Sequence, residues 1–415
     1  MDTVEIMSPV GSYESLAAAI KAGADSVYFG VEGLNMRAKS SNNFSLADLA
    51  KIAGICKDNG VKTYLALNTV MYDSDIPLIK KICDAAKNAG ISAVIAADIA
   101  VMTYANSIGL AVHMSTQVNI SNILAVKFFS RFADTIVLAR ELTLEQIEMI
   151  IKEIEEQDIR GPNGALVRVE IFAHGALCVS ISGKCHMSLA SYNESANRGA
   201  CLQMCRRGYR VTDEETGEEF LVDNKYIMSP KDLCTIQFVD RLIGAGVSVL
   251  KLEGRGRSPD YVYTVTKCYK EAVGAVLDGT FSKEKSLLWE KELATVYNRG
   301  FWQGGYYLGK RLGEWAGTYG SKATKEKTYL GVCKNYYAQK KIAHFSILAG
   351  ELNLGDEIMI IGETTGVVIC SVDSLFAGDI AVSCAKKGDE VTIPIAEKVR
   401  PNDKLYVRKE RIVKE

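Results

Sequence analysis

The sequence lacks the features that would place a chain in a membrane or outside the cell. None of its apolar runs is long enough to span a bilayer, and its N-terminus, MDTVEIMSPVGSYESL, has neither the basic segment nor the long apolar run of a secretory signal. We therefore expect a soluble, cytoplasmic protein. The chain also lacks an excess of charge of either sign. A formal net charge of -1 excludes a globally basic nucleic-acid binder but is compatible with a local basic patch.

The signatures of common hydrolases are missing as well. The sequence contains no Ser-His-Asp order, no H-E-x-x-H helix and no pair of acidic residues that stands out as catalytic. A peptidase of this sequence would have to use a cysteine as its nucleophile, and a cysteine nucleophile needs a general base beside it.

What is present is an alternation of short β-branched runs with longer amphipathic stretches. The candidate strands lie at residues 4–7, 26–31, 62–68, 93–98, 111–116, 135–140, 167–173 and 247–254. The phrases KAGADSVYFG, KDNGVKTYLALN, KNAGISAVIAAD and IGAGVSVLKLEG repeat one order of helix end, glycine and apolar strand. Eight strands with helices between them predict an α/β fold, a closed (β/α)8 TIM-like barrel, with an open doubly wound sheet as the alternative.

The pattern changes near residue 325, where short alternating strands separated by turns such as NLGD and KKGD replace the long helices. We predict a barrel domain over 1–280 with a Cys-rich insertion at about 176–230, a connecting segment at 281–324 and a small C-terminal β-barrel domain at 325–415. The C-terminal domain either positions RNA or another partner or is purely structural. We expect the aromatic residues of the connecting segment to pack between the domains, with base stacking as the second interpretation.

Four of the eleven cysteines lie close together in the insertion, among glycines and basic residues: Cys178, Cys185, Cys201 and Cys205. A reducing cytosol disfavours structural disulfides, so this grouping indicates metal chemistry. The intervals of six, fifteen and three intervening residues lack the C-x2-C knuckles of structural zinc sites. They favour an iron-sulfur cluster, in which each thiolate binds a different iron, over zinc. A cysteine nucleophile and chance proximity remain open.

If the barrel closes, the functional residues lie at the C-terminal ends of its strands. Lys251, Glu253 and Arg255 alternate along one strand and so share one face, where three charges must pair or bind something. Arg206 in the insertion either belongs to a solvated loop surface or offers a further cation for an anionic substrate. The candidate contact residues for substrate or cosubstrate are Arg140, Glu141, His174, Lys251, Glu253 and Arg255. The alternatives are a salt-bridged helix start for the first two and a hydrogen bond within the loop for the histidine.

The segment that carries the first two of these cysteines resembles the signature of the collagenase-like peptidase family U-32. Its fixed positions are matched by Glu170, Phe172, Gly175, Ala176, Leu177, Cys178, Gly183, Cys185, Met187 and Ser188. The resemblance continues through SPVGSYESLAAAIKAGADSVYFG, HMSTQVNISN, LARELTLEQI, YIMSPKDLC and KLEGRGRSPDYV. The C-terminal part is similar to the small β-barrel appended to many members.

The resemblance implies several activities, because the family was named for peptidases while other branches modify RNA or assist ubiquinone hydroxylation. The motif NxGxCxxxCR resembles the branch that converts the wobble uridine of tRNA to 5-hydroxyuridine, with prephenate implicated. It is matched by Asn197, Gly199, Cys201, Cys205 and Arg206.

The resemblance to ubiquinone-hydroxylation proteins further implies a 4Fe-4S cluster bound by four cysteines. Three of their ligands match Cys178, Cys185 and Cys201, and we take Cys205 as the fourth ligand with Cys234 in reserve.

We therefore predict a tRNA modification enzyme that hydroxylates the wobble uridine and depends on an iron-sulfur cluster and prephenate. Its expected partners are tRNA and a small anionic metabolite, without a membrane. The alternatives are a U-32 peptidase, which would be a hydrolase using one of the four thiols, and a non-catalytic iron-sulfur partner in a modification complex. Zinc is the alternative metal.

Overall fold

The computed structural model describes residues 4–39, 42–210, 212–217, 228–309, 314–318 and 320–411. Its first domain is a closed barrel of eight parallel strands. These are β1 (Glu5–Pro9), β2 (Ser26–Phe29), β3 (Lys62–Leu67), β4 (Ala93–Ala96), β5 (Val112–Met114), β6 (Thr135–Val137), β7 (Arg168–Gly175) and β9 (Val249–Leu252). Each of the first seven strands pairs with the next, and β9 pairs in parallel with both β7 and β1. The predicted (β/α)8 fold is confirmed, and the open sheet is wrong.

Helices cover the outside of the barrel. They are α1 (Tyr13–Lys21), α2 (Leu49–Asp58), α3 (Ile76–Ala89), α4 (Ile99–Ser107), α5 (Ile123–Phe129), α6 (Leu144–Glu156), α8 (Val239–Gly244) and α9 (Pro259–Leu277). The side chain of Ser12 caps α1, and Thr143 caps α6 in a capping box with Gln146. α3 ends at Gly90, whose φ of 79° favours glycine. No helix in the described part of the chain combines the length and apolar character needed to cross a membrane.

The barrel has a large apolar core between strands and helices, and a second, smaller apolar cluster of strand residues lies beside buried charged groups. Near the N-terminal ends of the strands, Glu5 is buried and accepts hydrogen bonds from Tyr64 Oη at 2.7 Å, Lys62 Nζ at 2.8 Å and Arg168 Nη2 at 3.0 Å. Burial raises the pKa of Glu5, but these partners outweigh it and hold the pKa at about 2. Charged groups therefore close this end of the lumen.

Two extra strands extend the sheet beyond the barrel. The insertion after β7 contains the short helix α7 (Met187–Tyr192) and leads into β8 (Asp232–Cys234), which pairs antiparallel with the end of β7. After α10 (Lys283–Ala294), β10 (Phe301–Gln303) pairs in parallel with β8. Residues 211 and 218–227 of the predicted insertion lie outside the described residues.

The aromatic residues of the predicted connecting segment pack mainly on the barrel. Trp302 on β10 is fully buried, and Trp289 on α10 stacks on Phe281 and packs against the barrel core. For these two tryptophans the prediction of interdomain packing is wrong. The reason is that β10 and α10 complete the barrel domain, which a sequence pattern ending at the eighth strand does not reveal.

The C-terminal domain is antiparallel and has its own apolar core. Its strands are β11 (Lys325–Tyr337), β12 (Ile342–Ile347), β13 (Glu351–Asn353), β14 (Glu357–Gly362), β15 (Gly366–Ser371), β16 (Phe376–Ala377), β17 (Ile380–Ala381), β18 (Cys384–Lys386), β19 (Glu390–Pro394) and β20 (Lys404–Glu410). The domain docks on α1, where Ala18 packs against Met359 and Val367 and where Lys21 Nζ donates to the Val367 carbonyl at 2.7 Å. Gly366 lies so close to the α1 backbone that a Cβ there would sit 3.0 Å from it.

Candidate functional site at the barrel mouth

A cavity of about 280 Å³ opens at the C-terminal ends of the barrel strands. Cys178, Cys201 and Cys205 of the insertion line one side of it. Gly199 holds the insertion against the loop after β2, because its φ is 89° and a Cβ there would lie 2.5 Å from the Asn35 carbonyl oxygen. The basic residues around the cavity are Arg37, Arg140, Arg206, Lys251, Arg255, Arg257 and Arg299. Thiols of the insertion and basic residues at the strand ends therefore line the same cavity.

Lys251 on β9 belongs to a buried charge cluster at the base of the cavity. Its Nζ donates to Glu170 Oε1 on β7 at 2.7 Å, and Nδ1 of His113 on β5 lies 3.6 Å from the other carboxylate oxygen. Burial raises the pKa of Glu170, but Lys251 and His113 together lower it by more, so the pKa lies below its ordinary value. The His113 ring packs on Tyr64 with centroids 4.2 Å apart. The carboxylate of Glu170 thus compensates the charge of Lys251.

Among the described residues that line the cavity, Glu253 is the one with a carboxylate group. It pairs with Arg37 at 2.7 Å and accepts a hydrogen bond from Tyr28 Oη at 2.9 Å. Burial raises the pKa of Glu253, and Arg37 and the other partners more than reverse this, leaving the pKa below its ordinary value. The carboxylate is thus ionised and already neutralised by Arg37.

Three other cations near the cavity lack such a carboxylate partner among the described residues. Arg255 is buried, donates to Asn35 Oδ1 at 2.9 Å and has no hydrogen-bond partner at Nη1. Burial lowers the pKa of Arg255 to about 10. Nε of Arg140 is also buried without a partner, and the hydrogen bonds of Arg206 go to uncharged groups such as the Leu177 carbonyl. Buried cations with open donors are the expected features of an anion-binding site.

The four cysteines of the insertion are free thiols and form one electrostatic group. Burial raises the pKa of Cys205 to about 11; Arg206 lowers it, and the neighbouring thiols of Cys178, Cys201 and Cys185 raise it. The pKa of Cys185 is likewise raised, first by burial and then by Cys178 and Cys201. Within the described ranges, no three His, Cys, Asp or Glu side chains are grouped so that they could hold one metal ion.

The structure brings most of the predicted site residues together, and leaves others apart. Arg140, Lys251, Glu253 and Arg255 line the cavity with three of the cysteines, whereas Glu141 is exposed and does not line it. Cys185 lies beside the lining thiols, and the reserve ligand Cys234 is buried in the apolar core of the barrel.

His174 lies outside the cavity. It is buried between the rings of Tyr269 and Phe301, and its Nδ1 is 3.4 Å from Tyr269 Oη. Burial lowers the pKa of His174 to about 3, so the imidazole is neutral near pH 7. Its position indicates a packing role and offers no contact with a ligand in the cavity.

Several residues that line the cavity or contact its lining residues were not predicted from the sequence. Tyr28, near the end of β2, and Arg37, in the loop after it, line the cavity, and Asn35 in the same loop accepts a hydrogen bond from Arg255. The rule that function follows strand ends could have found all three. His113 on β5 gives no such signal, because a lone histidine in an apolar strand is usually structural. Arg299 comes from the connecting segment, which no barrel pattern places at the mouth.

The fold and the cavity define a (β/α)8 protein with a cysteine- and arginine-lined site at its catalytic face. The chain belongs to Peptidase family U32, whose model matches residues 11–317. The family resemblance seen in the sequence is confirmed.

Relatives within this family carry different names. The chain is 58% identical over 402 residues to a collagenase of Porphyromonas gingivalis, covering 97% of each chain. It is 31% identical over 322 residues to tRNA hydroxylation protein P of Helicobacter pylori, covering 75% of this chain and 73% of the relative. It is also 31% identical over 316 residues to a 23S rRNA 5-hydroxycytidine synthase of Escherichia coli, covering 75% of this chain and 46% of the relative.

Proposed function

We propose that this chain hydroxylates the wobble uridine of tRNA at C5, using an iron-sulfur cluster and a small anionic cosubstrate such as prephenate. The observation that carries the proposal is the cavity in which cysteines and arginines without carboxylate partners among the described residues face the same space. The names of the Helicobacter pylori and Escherichia coli relatives refer to hydroxylation of RNA and to a hydroxylated pyrimidine. Converting the ring C–H to C–OH is a two-electron oxidation, so it consumes an external oxidant and takes its oxygen atom from that oxidant or from water; a cluster would relay the electrons from the ring to the oxidant.

The four thiols suit a cluster better than a single ion. In a cluster each thiolate binds a different iron, so the sulfur atoms need not converge on one point. Cys178 and Cys201 lie close enough to Cys185 and Cys205 to contribute to the raised pKa of those two thiols. Within the described ranges, no three of the four thiols are placed around a single ion. Cys205 is preferred to Cys234 as the fourth ligand, because it lines the cavity with Cys178 and Cys201.

The arginines suit an anionic cosubstrate. The open donors of Arg255 and Arg140 and the positive charge of Arg206 lie around a cavity that holds a small molecule rather than a macromolecule. Carboxylate groups accept charge-assisted hydrogen bonds from guanidinium groups, and a dicarboxylate can use two of them at once. We assign Arg140 and Arg255 to the cosubstrate, with Lys251 and Glu253 beside the reacting base.

The test is nucleoside analysis of tRNA from a strain in which the gene is deleted. We expect 5-hydroxyuridine to disappear and to return with the wild-type gene, but not with Cys178→Ala. Cys268→Ala is the matched control, because this thiol is buried in the barrel core away from the cavity and its loss should leave the modification in place. An unchanged nucleoside profile in the deletion strain would contradict the proposal.

A second candidate is a peptidase, which the Porphyromonas gingivalis relative named collagenase favours. A thiol nucleophile would need an imidazole or another base next to it. None of the four histidines, all of which the structure describes, lines the cavity. Collagen cleavage by the purified chain that disappears in Cys178→Ala, together with normal tRNA nucleosides in the deletion strain, would establish this candidate instead.

A further inference from the structure

Three large apolar side chains are exposed on the outward faces of the neighbouring helices α5 and α6. Leu124 and Phe128 lie one turn apart on α5 and are 75% and 47% exposed, and Met149 on α6 is 67% exposed. The buried side chains of the same helices, such as Val126 and Ile150, face the barrel core instead. Apolar side chains grouped on one exposed face indicate an interaction site, whereas single exposed ones do not.

The two helices carry opposite charges. Residues 123–131 contain two basic and no acidic residues, whereas residues 144–157 contain five acidic residues and one basic residue. Lys127 Nζ lies 3.5 Å from Gln157 Oε1, and Arg131 donates to the Phe128 carbonyl and lies over its ring. Neither of these two cations has a carboxylate partner in the part of the chain that the structure describes. A positively charged helix therefore lies directly beside a negatively charged one.

The C-terminal domain does not cover these two helices. Each helix of the barrel follows a strand, so α5, after β5, lies across the ring from α1, after β1. The C-terminal domain docks on α1. The outward faces of α5 and α6 are thus open to a partner from outside the chain.

We propose that α5 and α6 form a homodimer interface in which α5 of one copy packs on α6 of the other. A twofold interface brings the same surface of both copies together, so that surface must be complementary to itself. A twofold axis that runs along the two helices and between them meets this condition, because it places the basic helix of each copy on the acidic helix of its partner. The exposed apolar side chains of the two copies then cover one another.

The positions of the charges along the helices agree with this arrangement. Both helices run in the same direction, because each follows a parallel strand, and an axis along them leaves the height of every residue unchanged. The contact with Gln157 places Lys127 level with the C-terminal end of α6, where Gln157 donates to Glu153. In the dimer Lys127 of one copy therefore lies at the height of Glu153 of the other.

A second copy fits this surface better than an unrelated partner of one charge. An acidic protein would be attracted by α5 but repelled by α6 beside it, and a basic protein would meet the reverse. Another copy of the chain carries both charges side by side, in the order that the twofold axis requires. The interface lies outside the proposed hydroxylation chemistry and does not depend on it.

The experiment is sedimentation equilibrium of the full chain at protein concentrations of about 1 to 100 μM, because self-association depends on concentration. We expect a monomer–dimer equilibrium whose dissociation constant rises about tenfold in Phe128→Ala, as for the loss of an aromatic anchor. Leu288→Ala is the matched control and should leave the constant unchanged, since Leu288 is 62% exposed on α10 and belongs to neither helix.

A charge exchange tests which helices meet. Lys127→Glu and Glu153→Lys should each weaken the dimer about tenfold or more, because like charges then face each other at both contacts. An equimolar mixture of the two variants should recover the wild-type affinity, because a heterodimer has opposite charges at both contacts. Repulsion within one chain would persist in the mixture, so the recovery reports a contact between chains.

A wild type that stays monomeric over the whole concentration range would overturn the proposal and assign the surface to a different protein. A dimer that neither Phe128→Ala nor the charge variants weaken would have its interface elsewhere, which also overturns it. If the mixture bound no more tightly than either variant alone, the pairing of α5 with α6 would be wrong.

Discussion

Replacing Glu170 by Gln should destabilise the barrel strongly, although the change removes no side-chain volume. Glu170 and Lys251 are both buried, and Lys251 Nζ lies 2.7 Å from Glu170 Oε1. The neutral amide leaves that ammonium group in the lumen without its counter-charge. Removing one partner of a buried ion pair costs about 3 to 5 kcal/mol, and we expect a loss of this size in the free energy of unfolding.

The measurement is urea unfolding followed by tryptophan fluorescence. All three tryptophans precede residue 325, so the signal reports the barrel domain and not the C-terminal domain. Glu156→Gln is the matched control, because Glu156 makes an exposed pair with Lys152 on α6 and should cost at most about 0.5 kcal/mol. Combining Glu170→Gln with Lys251→Met in one chain should recover most of the loss, since no unpaired charge remains. A loss below about 1 kcal/mol for Glu170→Gln alone would refute the assignment of Glu170 as the counter-ion, because a buried ion pair is expected to cost more when it is broken.

The stability difference between wild type and Glu170→Gln should depend on pH. The pKa of Glu170 in the folded protein lies below its ordinary value, since Lys251 and His113 outweigh the opposing effect of burial. Its stabilising contribution is therefore complete above the unfolded-state pKa, about 4.3, and is lost as the pH falls through the lowered folded-state pKa. The difference in stability between wild type and Glu170→Gln should be constant near neutral pH and should narrow in acid. A difference that grows on acidification would contradict this.

Three further predictions concern the thiols, the anion site and the floor of the lumen. Anaerobic analysis should find the iron and sulfide of a cluster in the wild type and in Cys234→Ser, but little of either in Cys178→Ser. If both variants lost the same amount of iron and sulfide, the assignment of Cys178 and not Cys234 as a ligand would be wrong. Arg255→Gln should weaken binding of prephenate, measured by calorimetry, about tenfold or more, because a charged hydrogen bond is lost; unchanged affinity would remove Arg255 from the anion site. The pKa of Glu5 is about 2, so Glu5→Gln should reduce stability at neutral pH, and the difference from wild type should disappear progressively as the pH falls from about 4.5 towards 2. If the urea midpoints of wild type and Glu5→Gln differed by the same amount at every pH in that range, Glu5 would not be the titrating group.

The barrel could be predicted because its signal is local and repeated. Each strand is a short β-branched run, several follow a helix and a glycine, and eight such units leave few ways to arrange them. The predicted strand positions all correspond to observed barrel strands, with ends that differ by a few residues. The Cys-rich insertion was also placed at the correct face, because it follows a parallel strand whose C-terminal end is the catalytic face.

The missed elements depend on contacts between distant segments. β8 and β10 have three residues each, and their pairing joins residues 232 and 301, which no local period can show. In the C-terminal domain, β20 is hard to predict from the sequence although it is central, between β11 and β14. Its sequence KLYVRKE contains four charged residues, and its most buried side chains include Leu405. Arg37 was missed because its partner Glu253 lies at the other end of the barrel sequence.

Lys251 lines the cavity and His174 does not, and the register of the neighbouring strands β7 and β9 explains the difference. Side chains that pair across the strands share a face, and Phe172 pairs with Lys251 on the lumen side. Simple alternation would place residue 174 on that side too. A bulge between Phe172 and His174 shifts the register by one residue, so His174 pairs with Leu252 and turns outward to α9. β9 keeps its alternation, and Lys251 and the residues that follow reach the cavity. A one-residue bulge at the end of β7 thus separates a buried histidine from the site, which explains why the charges on β9 were the better guide to function.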